Sequence, residues 1–149
     1  MTIGAICNRE VITVQRDATV LHAAMLMREY HVGDVVVIEN QKNKVIPVGI
    51  VTDRDLVVEV VATELDCKVI TVGDIMLTSL STAKDNLGIL ESIQLMTSKG
   101  VRRLPVVDDS GSLIGIVTLD DLLLLLAKEF GSLSKLVARE QKNEVTKRR

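Results

Sequence analysis

The sequence predicts an α+β fold in which two pseudo-symmetric β-α-β-β-α motifs pack sheet-to-sheet into one module. Three observations predict it. The phrase "GIVTDRDL" (Gly49–Leu56) returns as "GIVTLDDL" (Gly115–Leu122), 66 residues later. The echo is longer than the phrase: "TIGAIC" (Thr2–Cys7) answers to "TVGDIM" (Thr71–Met76), and "LMREYHVGDVVVIE" (Leu26–Glu39) to "LMTSKGVRRLPVVD" (Leu95–Asp108), so duplication organises the chain. Finally, a half of about 60 residues buries too little surface to be comfortable alone, whereas two copies complete one core.

Each copy shows the same order of patterns. A short extended piece is expected at Val11–Val14 and again at Ser79–Thr82. A helix follows, with Val20, Ala23, Ala24 and Met27 at helical spacing in one copy and Ile89, Ile93 and Met96 in the other. The apolar runs "VVVI" (Val35–Ile38) and "LPVV" (Leu104–Val107) read as strands. Pro105 lacks a backbone donor, so its strand should keep an unpaired edge there. Polar turns come next, carrying Asn40 and Asn43 or Asp108 to Gly111. The strands "VGIV" (Val48–Val51) and "IGIV" (Ile114–Val117) follow, and each half closes with a helix, Asp53–Ala62 or Leu119–Phe130. The expected organisation is a first motif over residues 1–65, a second over 66–131, and a basic C-terminal helix or tail over 132–149.

Composition narrows the function classes. Of 149 residues 47% are hydrophobic, but there is one Tyr, one Phe and no Trp, so the core must be aliphatic. Nucleic-acid binding by base stacking lacks its aromatic platforms. The net charge of −2 gives no overall pull toward phosphate backbones or anionic membranes. Charge is uneven: residues 132–149 carry six basic and two acidic side chains, net +4, leaving −6 on the rest. Cys7 and Cys67 have no metal-ligand spacing and read as reduced thiols. The run Leu122–Ala127 is too short for a membrane span. A cytoplasmic protein is expected, with no metal site and no catalytic constellation.

Thr52 and Asp55, like Thr118 and Asp121, form a T-x-x-D pair where a strand turns into a helix. That spacing makes a capping box, in which hydroxyl and carboxylate each take a backbone N–H of the first turn. It also suits a ligand: free N–H groups at a helix start attract an anion, Thr can donate to a phosphate oxygen, and Asp can hold two vicinal hydroxyls. The two uses are compatible, and spacing leaves both open.

The duplicated set "VGDIM" (Val72–Met76), "GVRRLPVVD" (Gly100–Asp108) and two "GIVT-x-x-D" phrases resembles a tandem pair of CBS domains, the regulatory modules first described in cystathionine β-synthase. The resemblance spans residues 2 to about 130. It implies two clefts between the motifs that bind an adenine nucleotide such as AMP, ADP or ATP, with Asp55 and Asp121 on the ribose and Thr52 and Thr118 near the phosphate. It implies base pockets near Val11–Thr13, which includes Ile12, and Leu80–Thr82, with the following strands, Pro105 among them. It also implies pairing into homodimers through helices, and a protein target in trans. No catalytic cofactor is expected.

The two sites are not equivalent. Arg102 and Arg103 precede a strand of the second copy, where the first has Gly33 and Asp34. Arginine suits phosphate, being always charged and able to donate two parallel bonds. The first copy instead carries Arg54 where the second has Asp120. Unequal affinities follow. The alternative is a constitutive dimerisation module with empty clefts.

Overall fold

The structure is a computed structural model and describes residues 1–148. Both expected β-α-β-β-α motifs are present. The first runs β1 (Thr13–Gln15), α2 (Val20–Tyr30), β2 (Asp34–Gln41), β3 (Lys44–Thr52) and α3 (Asp53–Leu56). The second runs β4 (Ala83–Lys84), α5 (Ile89–Lys99), β5 (Arg103–Val107), β6 (Leu113–Thr118) and α6 (Leu119–Lys147). Two short helices, α1 (Ile3–Ile6) and α4 (Val72–Ile75), precede the motifs. Each motif forms a three-stranded mixed sheet with its middle strand second in sequence, β1-β2-β3 and β4-β5-β6.

The unbroken apolar run of β2 has a physical reason. Side chains alternate across a strand, and β2 is covered on both faces. Val35 and Val37 join the core beneath α2 with Val20, Ala23 and Met27. Val36 and Ile38 face the other way and meet Ile116 of β6, so the sheets pack against one another as expected. Each fully buried valine contributes on the order of 2 kcal/mol. The β2–β3 hairpin turns through Lys42 and Asn43, at φ 48° and 65°, the left-handed pair that matches the strand twist.

The first strand of each motif lies further along than expected, at Thr13–Gln15 and Ala83–Lys84 rather than Val11–Val14 and Ser79–Thr82. Pairing in register with the middle strand sets their extent. In the first sheet β1 runs parallel to β2 from Thr13↔Val36 to Gln15↔Ile38, and Val36 N–H donates to the Ile12 carbonyl at 3.0 Å. Pro105 stands where Val36 does and has no N–H to give. The corresponding ladder therefore starts one residue later, at Ala83↔Val106. Pro105 lies in a middle strand, yet outside the β4 ladder.

The short helices cross between motifs. Ile3 and Gly4 donate N–H to the carbonyls of Leu87 and Asp85, while Val72 and Gly73 donate to those of Ala18 and Arg16. These are equivalent bonds made in both directions. A methyl on Gly4 would meet the Asp85 carbonyl at 2.7 Å, so the close approach needs glycine. Asn8 then exchanges both backbone bonds with Ile116, each 2.9 Å.

α2 starts on Thr19, whose hydroxyl accepts the His22 N–H, and ends at His31 in the left-handed region. α5 ends at Gly100 in the same conformation, the residue type that carries no Cβ penalty there. The helix expected over Asp53–Ala62 is α-helical only to Leu56 and continues as a π-helical turn over Val57–Val61. The chain groups into two compact units, Met1–Val117 and a second from Thr118 onward. The second unit is α6, a single helix that continues from the expected Leu119–Phe130 through residues 132–147.

Candidate functional site

A cleft of 390 Å³ draws on both sequence copies. The first copy supplies Ile50 and Thr52 from the end of β3, and Asp53, Arg54 and Asp55 from α3. The second supplies Leu77 and Leu80, which follow α4, Val101 and Arg102, which lead into β5, and Arg103, the first residue of that strand. The cleft thus unites the T-x-x-D of one copy with the arginine pair of the other. Sorting candidates by copy would have placed Arg102 and Arg103 with Thr118 and Asp121, and Gly33 and Asp34 with Thr52 and Asp55. The crossing of α4 into the first motif brings Leu77 and Leu80 along and makes the cleft composite. Ile50, Asp53, Leu77 and Val101 were missed. Their one sequence signal is adjacency: Leu77 follows "VGDIM", and Val101 precedes the arginines.

Thr52 and Asp55 form a complete capping box. Thr52 N–H donates to Asp55 Oδ2 at 2.8 Å, and Asp55 N–H donates to Thr52 Oγ1 at 3.1 Å. The box leaves capacity for a ligand. Thr52 Oγ1 acts as acceptor, so its own hydrogen can still be donated, and the second carboxylate oxygen of Asp55 can still accept. Arg54 and Arg102 are exposed and make no ion pair among the described residues.

Arg103 is different. Its Nε stands 3.1 Å from Asp34 Oδ2, and both side chains are largely buried. The contact does not meet the geometry of a hydrogen bond, and Nε has no hydrogen-bond partner among the described residues. The contact is therefore an ion pair with a donor left over. Burial pushes the Asp34 carboxyl above the usual carboxylate range; Arg103 pulls it down, and Asp53 adds to the rise. Gly33 supports the same corner, its carbonyl accepting the Asp53 N–H at 2.9 Å.

The remaining candidates lie elsewhere. The Ile12 carbonyl is engaged by Val36. Thr13 lines a separate hollow of 340 Å³ with Asp17 and His22. Thr82 is exposed ahead of β4, and Pro105 is buried in β5. Thr118 and Asp121 repeat the box at the start of α6, at 2.9 and 3.2 Å, with Asp120 beside them. A third box joins Thr71 and Asp74 at the start of α4, away from the composite cleft. At these three helix starts T-x-x-D serves as a cap; the arginines are what distinguish the cleft.

Comparison with known proteins agrees with this architecture. The CBS domain family model matches residues 3–62 and 72–128. An uncharacterized protein of Methanopyrus kandleri is 41% identical over 83% of this chain, which spans 61% of that relative's length. A CBS domain-containing protein of Bacillus subtilis is 36% identical over 76% of each chain. A solved CBS domain pair in complex with 5′-methylthioadenosine and S-adenosyl-L-methionine superposes with a TM-score of 0.75, covering 87% of this chain and 98% of its own at 22% identity, a likeness of fold alone. No helix among the described residues is long and apolar enough to cross a membrane.

Proposed function

The chain belongs to the CBS domain family, and we propose that it works as a non-catalytic sensor binding an adenine nucleotide, AMP, ADP or ATP, in the composite cleft. One observation carries the reading: the cleft sets the Thr52–Asp55 pair beside the unpaired cations Arg54 and Arg102. The outer oxygen of Asp55 accepts from the ribose hydroxyls. The Thr52 hydroxyl and the two guanidiniums donate to phosphate, and Leu77, Leu80, Ile50 and Val101 offer apolar surface to the base. Arg103, already held by Asp34, shapes the site more than it neutralises charge. Adenosyl ligands in a protein of the same fold support this choice. Thr118 and Asp121 carry the same pair, and we extend the reading to them. Binding then biases the packing of the motifs, which needs a ligand that prefers one arrangement over the other. A cytoplasmic homodimer signalling to a protein target completes the proposal.

A thermal-shift titration with AMP and with ATP tests it. A ligand that binds only the folded state stabilises it by about 2.7 kcal/mol at a hundredfold excess over Kd. A saturable shift lost in Asp55→Ala supports the sensor. Absence of a shift with either nucleotide favours the second reading, a constitutive interaction module, for which the service of Thr52–Asp55, Thr71–Asp74 and Thr118–Asp121 as helix caps already speaks.

A further inference from the structure

α6 carries a surface that the nucleotide reading leaves unused. Leu119, Leu123, Leu126, Phe130, Leu133 and Val137 recur at alternating intervals of four and three residues. That is the spacing of a coiled-coil seam, which keeps facing one partner if the helices supercoil slightly. Four of the six are more than half exposed: Leu123 54%, Phe130 68%, Leu133 58% and Val137 53%. Lys128, Lys135 and Lys142 recur every seven residues on the opposite side of the helix. Half of the seam lies past residue 128, where the family match ends. The extension is therefore a property of this chain beyond the family motif.

We propose that α6 pairs with α6 of a second copy as an antiparallel coiled coil. This rests on the helix alone and not on the nucleotide reading. A 3.5-residue repeat is self-complementary, because an identical helix presents knobs at the spacing of its holes. Charge chooses the direction. Glu140 and Glu144 take the next two seam positions. A parallel pair would set each against its own copy and lay two +4 ends side by side. The antiparallel pair sets Leu123 against Leu133 and Leu126 against Phe130. It also carries each basic end past the start of the partner helix, away from the other basic end.

Two experiments on the full chain decide it. Light scattering should show the Phe130→Glu/Leu133→Glu variant at half the mass of the parent, with helical circular dichroism retained, since both positions are exposed. An unchanged mass overturns the proposal. So does a monomeric parent, including one whose helix instead binds vesicles of anionic lipid. In a Cys67→Ser background, chains with Leu123→Cys should form disulfides with chains carrying Leu133→Cys when the two are mixed, and neither should do so alone. Self-linking of the Leu133→Cys chain overturns the antiparallel arrangement.

Discussion

Asp34 and Arg103 occupy the same place in the two sequence copies, yet carry opposite charges and meet each other, Oδ2 to Nε at 3.1 Å. A duplicated position near a pseudo-two-fold axis faces its own image, so identical charges there would repel. Removing one partner strands the other in a largely buried setting, which is costlier than losing both. Arg103→Ala should destabilise the protein by about 2 kcal/mol, less than a fully buried pair because both groups keep some solvent. Urea unfolding of both single variants and the Asp34→Ala/Arg103→Ala double variant measures the coupling. A cycle that closes to zero would show that the pair is idle.

The same aspartate gives a pH signature. Its folded-state pKa is raised, chiefly by burial, so in the window from the ordinary carboxylate value upward the folded state holds the proton more tightly than the unfolded. This contribution to stability is full at low pH and is lost as pH rises through the folded value. Asp74 and Asp108, held below the usual range by hydrogen bonds, act in the opposite sense, losing their contributions as pH falls. The stability of wild type relative to Asp34→Asn should therefore decline from pH 4 upward. Urea midpoints across that range provide the check, and a flat difference would contradict the assignment.

The three capping boxes allow structure and binding to be separated. Thr52→Ala and Thr71→Ala each remove a cap and should each cost about 1 kcal/mol. Only Thr52 borders the composite cleft. Thr71→Ala should therefore keep the nucleotide-induced thermal shift that Thr52→Ala loses. Equal loss in both would assign the effect to folding.

His31 and Gly100 are equivalent C-caps with φ of 54° and 64°. The histidine pays a Cβ penalty that the glycine avoids. His31→Gly should raise stability by a few tenths to about 1 kcal/mol, while Gly100→His should lower it. Thermal midpoints of the two variants test the pair together.

Repetition made most of the fold readable. Strands β2, β3, β5 and β6 and helices α2 and α5 followed from two aligned copies, because burial on alternating faces writes itself into each. The edges were less readable. The extents of β1 and β4 depend on hydrogen bonds to a strand more than twenty residues away, and Pro105 sets one of them. α1 and α4 escaped notice because four residues with no amphipathic stripe leave no periodic signal. The basic tail disclosed charge at once; its seam emerges only when Leu119–Val137 is counted as one helix. In the site, types and roles could be named, but the copy supplying each could not. A crossing between motifs is a fact of topology, and identical phrases do not tell which partner each one meets.

The crossing also sets an order of events during synthesis. Ile3, Gly4 and Asn8 leave the ribosome before Leu87, Asp85 and Ile116, the residues whose carbonyls accept their N–H groups. Until residues through Ile116 have emerged, this segment waits without those partners. Cys7, which ends beside Gly115 with its sulfur buried, remains open to reagents through that interval. Its thiol is thus a clock for assembly: labelling of nascent chains at Cys7 should persist until the strand containing Gly115 is in place, then cease.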